Sequence, residues 1–204
     1  MMGKQTIFRF DWRILMALAV ILQPALSRGA EGDAPQPELT PRNTVIERTG
    51  NWLKASQPQQ VEPWLDSVSR NSLLSFEQII VSAVAMSDKT LAEQVDRVRK
   101  SSASDLTLLA AEINWSIEDP WIAQNTQLWW ASELLQRQLY DEAWQVLSQI
   151  DAENIANPAT LYYQRAVCAH QLLLPEDTKS SLDSLLALHE IPVRYRALGE
   201  LMKQ

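Results

Sequence analysis

Glycine is almost missing from the body of this chain. After Gly50 none occurs until Gly199, so internal loops are expected to do without the positive-φ backbone that phosphate-cradling loops and tight β-hairpins need. That excludes P-loop, dinucleotide-binding and most β-sandwich architectures. Cysteine occurs once, as Cys168, which leaves no internal disulfide and makes packing the source of stability. Its expected place is a small buried position in an apolar helix. Histidine occurs twice, as His170 and His189, on different expected helices. Neither a His-Glu-x-x-His pattern nor a serine elbow accompanies them. Cys168 and His170 lie two residues apart and so on different helix faces, a poor metal pair. The acid pairs Glu118-Asp119 and Glu176-Asp177 stand beside prolines at helix ends, where carboxylates complement the dipole rather than perform acid–base chemistry. No catalytic set, metal site or cofactor site is expected.

Strict two-residue alternation is also missing, and with it the signature of half-buried strands. What remains is a chain of 204 residues, 46% hydrophobic and 21% charged, with enough apolar mass for one core or two small ones. The expected fold class is all-α. Eight tryptophans are present. Trp115, Trp121, Trp129, Trp130 and Trp144 fall close together, concentrating apolar mass in the second half.

The first residues read as a targeting segment. Lys4, Arg9 and Arg13 precede the apolar run Ile14 to Leu22, and Ala25-Leu26-Ser27 offers small residues at a cleavage spacing. Cleavage is expected after Ser27, with Ala30 the second choice. The protein is then exported, to a periplasmic or extracellular place in the cell envelope. An uncleaved segment would instead tether the domain to the membrane, although the run is short for a spanning helix. Loss of residues 1 to 27 leaves 15 basic against 24 acidic residues, a net charge of −9. An acidic chain without a basic run is a poor ligand for nucleic acid. Residues 28 to 43 carry Pro35, Pro37, Pro41, Gly29 and Gly32 and are expected to be a disordered tether.

Short amphipathic helices follow. Asn43 is placed to cap a first helix, Thr44 to Ala55, which contains Gly50, and Pro63 suits the first turn of a second. Ser75-Phe76-Glu77-Gln78 has the capping-box form. Asp88 is placed to cap the next helix, whose last turn carries Arg97, Arg99 and Lys100 against the negative end of its dipole. Asp105 is placed to start another, which ends at Glu118-Asp119-Pro120 because a residue before proline leaves the helical region. The formal glycosylation sequon Asn114-Trp115-Ser116 falls inside that expected helix and is discounted. Asn157-Pro158 opens a later helix, Leu174 to Asp177 reads as a turn, and Val193 to Lys203 can close the chain after the break at Ile191-Pro192.

The stretch from Gln127 to Ile150 organises the rest. Leu128, Ala131, Leu135 and Leu139 recur at steps of three and four, and Ala143, Leu147 and Ile150 do so in a new register. Asp141 and Glu142 stand where a second helix would begin. Two antiparallel helices joined near Leu139 to Asp141 are predicted. Each is too short to stand alone in water, so they pack on each other and on neighbours.

With Trp130-Ala131 in the first helix, Leu134 three residues on, Tyr140 and Ala143 opening the second, then Leu147 and Ile150, this stretch resembles one tetratricopeptide repeat. Ile150 stands where the pattern prefers alanine, and Gln138 where it usually has glycine. Leu161-Tyr162-Tyr163 echoes Leu128-Trp129-Trp130 thirty-three residues later. A second copy over Ala159 to Leu188 fits at Tyr163 and Val167, has Gln164 where a small residue belongs, and needs a longer turn before Ser181, Leu185 and Leu188.

The resemblance covers about sixty residues. It implies a short α-solenoid of stacked helix pairs (125–204) behind an N-terminal helical region (44–124) that supplies further layers or a cap. It also implies a non-enzymatic scaffold or adaptor for another protein or peptide. Carried over by position, the groove residues are Asn125, Ser132, Gln136 and Arg165. Trp129 and Trp130 are adjacent and cannot both point the same way, so Trp129 is added as an expected partner anchor, the alternative being that it packs against Trp144 or Trp121. The contrasting expectation is a small-ligand or glycan-binding module, or an accessory subunit of an envelope enzyme, that uses the tryptophan cluster as a stacking platform. Partner identity and oligomeric state stay open.

Overall fold

The computed structural model describes residues 40–113, 115–189 and 191–202, and within them the chain is all helical. Ten α-helices follow one another: α1 (Arg42–Ser56), α2 (Val61–Arg70), α3 (Phe76–Ser87), α4 (Lys89–Lys100), α5 (Ala103–Glu112), α6 (Pro120–Gln136), α7 (Tyr140–Leu147), α8 (Pro158–Gln171), α9 (Pro175–Ala187) and α10 (Val193–Met202). Short 3-10 turns lie at Pro58–Gln60 and Ala152–Asn154. No strand occurs among the described residues, and no helix there is long and apolar enough to cross a membrane. The expected signal segment (1–27) and most of the expected tether (28–43) lie outside the described residues. The end of that tether is ordered, because the Thr40 N–H donates to the Ala156 carbonyl at 3.1 Å.

A side-chain cap starts five of the ten helices. Ser75 and Gln78 form a reciprocal capping box on α3, and the Asp88 carboxylate accepts from the Thr90 and Leu91 N–H groups on α4. Those bonds stabilise the ionised form and hold the Asp88 carboxyl below its usual range. Asp105 does not start α5. Ser102 is its N-cap, and Asp105 sits three residues in as the other half of a capping box. That helix ends at Glu112, so Trp115 and Ser116 of the sequon lie in a connection rather than a helix. Asp119 caps α6 by accepting from the Ile122 N–H at 3.0 Å, with Pro120 at the first helical position, where its missing N–H costs nothing. Similarly, Pro175 opens α9 rather than sitting in a turn, and α1 begins at Arg42, before Asn43.

Two cores meet on α6. The first gathers Val45, Leu53, Trp64, Val68, Ile79, Ile80, Ala83 and Val84 from α1 to α3, and receives Trp121 and Ile122 from the start of α6. Gly50 allows the closest approach there: a Cβ on it would lie 3.2 Å from the Trp64 ring, whose Nε1–H donates to Ser82. The second core surrounds the rest of α6 with Val95 and Val98 of α4, Leu106 and Leu109 of α5, Leu147 of α7, and Leu161 and Cys168 of α8. With neighbours on every side, α6 buries ten residues, and both Trp129 and Trp130 are among them. A smaller cluster, Ala159, Leu185, Leu188, Ile191 and Tyr195, seats α9 and α10 against α8.

α6 with α7, and α8 with α9, form two helix pairs closed by the same three-residue turn. In the first, Leu139 N–H donates to Leu134 O at 3.0 Å and Gln138 N–H to Leu135 O at 3.0 Å. In the second, Leu174 N–H donates to Ala169 O at 2.8 Å and Leu173 N–H to His170 O at 3.2 Å. Both are Schellman turns, with a left-handed residue just past the helix: Gln138 at φ 63° and Leu173 at φ 58°. The second turn is therefore no longer than the first, and the spacing between pairs is 35 residues rather than 33. In this register Ala166, not Gln164, corresponds to Ala131, and both alanines are fully buried.

Candidate functional site

The five residues proposed for a groove fall into three situations. Asn125 is fully buried. Its Nδ2 donates to Trp121 O at 2.7 Å and to Asn154 O at 3.0 Å, while its Oδ1 accepts from the Ala156 N–H at 3.0 Å. One bond returns to its own helix, and the other two fix the connection that leads from α7 to α8. Trp129 is 3% exposed. Trp115 packs edge-on against it with ring centroids 6.1 Å apart, and the Arg99 guanidinium lies 5.9 Å from its ring centre. The expectation that one of the paired tryptophans leaves the core is corrected here: α4, α5 and Trp115 supply a second apolar wall on the side away from α7.

Ser132 and Arg165 are half-buried and occupied within the chain. Ser132 Oγ donates to Leu128 O at 2.9 Å and accepts from Gln164 Nε2 at 2.6 Å, a polar seam between α6 and α8. Gln164 Oε1 is buried there without a partner. Arg165 donates through Nε and Nη2 to Leu147 O and through Nη2 to Ile150 O at 2.6 Å. It satisfies carbonyls left over at the end of α7, where a cation is also favoured by the helix dipole. Burial lowers its pKa from the usual value, against the smaller opposing effects of Tyr162 and Asp151.

Gln136 alone of the five is exposed. It closes α6, and Gln171, exposed at the end of α8, is its counterpart in the second pair. Sequence reasoning missed Gln171 because the 33-residue register put a different residue opposite Gln136. It also missed Thr160, the counterpart of Asn125, whose Oγ1 lies 3.0 Å from the Tyr195 hydroxyl and so links α8 to α10. Polar residues one turn into each first helix thus attach that helix to the layer that follows.

The remaining reactive groups are placed apart. Cys168 is fully buried, and burial pushes its thiol up to about 12, with Asp141 adding to the rise, so it carries almost no thiolate near neutrality. His170 and His189 are both exposed, on α8 and just after α9. Among the described residues no three His, Cys, Asp or Glu side chains are grouped as a metal site. A shallow depression of about 360 Å³ lies between the α1–α2 and α3–α4 junctions, lined by Gln57, Gln60, Met86 and Lys89 among others. Compared with known proteins, the chain matches no family model, no curated protein and no solved structure.

Proposed function

We propose that this chain is an exported, non-enzymatic scaffold of the tetratricopeptide type, whose stacked helix pairs hold another protein or peptide at the cell envelope. The observation that carries the reading is the pairing of α6–α7 with α8–α9 through the same left-handed turn, 35 residues apart. Stacks of this kind bury each pair against its neighbours and leave helix faces free for a partner. α10 extends the stack as a further layer on α8 and α9. The face offered to a partner runs past Gln136 and Gln171. The scaffold reading is preferred to a glycan platform because Trp121, Trp129 and Trp130 are each at most 4% exposed, which leaves only the half-buried Trp115 and Trp144 of that cluster for stacking.

Co-purification of the mature chain under mild crosslinking tests the reading. A partner captured by the native chain and lost on Gln136→Arg with Gln171→Arg, while helicity is retained, supports it. A chain that captures nothing, or a partner indifferent to both substitutions, counts against it. N-terminal sequencing of the protein recovered from the envelope decides between release after Ser27 or Ala30 and an uncleaved membrane tether.

A further inference from the structure

We infer that α5 is a lid, a helix that undocks from α4 and α6 as a unit while the other helices stay folded, and that bares Trp129 when it does. Among its described residues only Leu106 and Leu109 are buried. No hydrogen bond joins α5 to another helix among the described residues: the Ser102–Asp105 cap and the Thr107 bond to Ala103 O both stay within the element. Its polar link to α4 is an ion pair from Glu112 to Arg97 at 3.5 Å, with both side chains more than half exposed, and such pairs hold little in water. A helix of ten residues is marginal by itself. Its place in the fold therefore rests on two leucine side chains.

α2, also ten residues long, shows how a short helix is fastened. It too buries two residues, Trp64 and Val68, but the Trp64 Nε1–H donates to Ser82 Oγ on α3 at 2.9 Å. At the foot of α5 the reverse holds. Trp115 lies three residues past the helix end, and its Nε1 is buried without a hydrogen-bond partner. A dry, unpaired donor opposes the docked state, and undocking lets water reach it. Leu106 and Leu109 share a core with Val95 and Val98 of α4 and Trp129 of α6, and Trp115 packs edge-on against Trp129. Opening therefore uncovers the Trp129 indole beside the Arg99 guanidinium, which lies 5.9 Å from the ring centre. This inference does not depend on the scaffold reading.

Native-state hydrogen exchange on the full chain, read by peptide mass under conditions where reclosing outpaces chemical exchange, tests the lid. Amides of α5 should exchange about a hundredfold or more faster than those of α6. Their rate should change little at low urea, because undocking one short helix exposes little surface, whereas exchange in α6 should climb steeply. Leu147→Ala in α7 weakens the closed and open forms alike, so it should speed exchange in α6 roughly thirtyfold or more and leave α5 unchanged. Exchange in α5 as slow as in α6, or speeded as much by Leu147→Ala, would overturn the inference. Should that variant not fold, the native chain still decides, since equal urea dependence in α5 and α6 would mean that the helix opens only with the whole.

Discussion

Gln138 and Leu173 hold the same place in two successive helix pairs, each the left-handed residue that turns the chain from a first helix into a second. A side chain in that conformation places Cβ near the following carbonyl, at a cost of about 1–2 kcal/mol that glycine does not incur. Leu173 is in addition 85% exposed, so it returns little by burial. Leu173→Gly and Gln138→Gly should each stabilise the protein by about 1 kcal/mol, a rise in Tm of about 2–4 °C. Leu173→Val should lower Tm, because a β-branched residue tolerates the left-handed region still less.

Asn125 makes three hydrogen bonds to backbone from a fully buried position. Asn125→Ala strands the Asn154 carbonyl and the Ala156 N–H, and should cost roughly 2–4 kcal/mol in urea unfolding. A loss of under half a kcal/mol would show that the connection before α8 is held by something else.

The Thr160–Tyr195 contact links α8 to α10 at 3.0 Å. Thr160→Val and Tyr195→Phe should each cost about 1 kcal/mol, and the double variant little more than either alone. Additive losses would mean that the two hydroxyls are not coupled.

Arg165 was a groove candidate by position, yet all its bonds run to the end of α7. Arg165→Met should lower stability by about 2 kcal/mol, the loss of charge-assisted bonds to two carbonyls. Capture of a partner by the folded fraction should be unchanged. Weakened capture without a loss of stability would return Arg165 to the interface.

Burial lifts the Cys168 thiol from its ordinary value of 9.0 to about 12 in the folded chain. Between those values the unfolded chain has lost the proton and the folded chain keeps it, so stability falls as pH rises, by up to roughly 1.4 kcal/mol per pH unit from this residue. Cys168→Ala should flatten that slope. The same burial predicts no reaction with a thiol reagent at pH 8 until denaturant is added.

The helix starts were the most legible part of the sequence. Ser75, Asp88 and Asn157 each accept a hydrogen bond from the first turn of a helix, since a cap needs only a side-chain oxygen two or three residues from a free N–H, whereas Asp119, read as the end of one helix, caps the start of the next. The site was much less legible. Asn125 and Ser132 are polar and recur at helical spacing, which suits an exposed groove and a buried interlayer bond equally well; only the positions of Ala156 and Gln164 separate the two. Trp129 looked free because the stripe through Leu128, Ala131 and Leu135 accounts for one wall, and nothing near it announces the second wall built by Val95, Leu106 and Trp115.

By itself the sequence determined that this chain is helical, where helices such as α3, α4 and α8 begin, and that no loop is glycine-rich, because propensity, capping and periodicity act over a few residues. Only tertiary structure decided the 35-residue register between the pairs and the left-handed turns at Gln138 and Leu173. It also decided which polar side chains are spent between helices and which, like Gln136, Gln171, Arg196 and Glu200, face outward. Those outcomes depend on what packs against each face, and the contacts that set them join residues far apart along the chain.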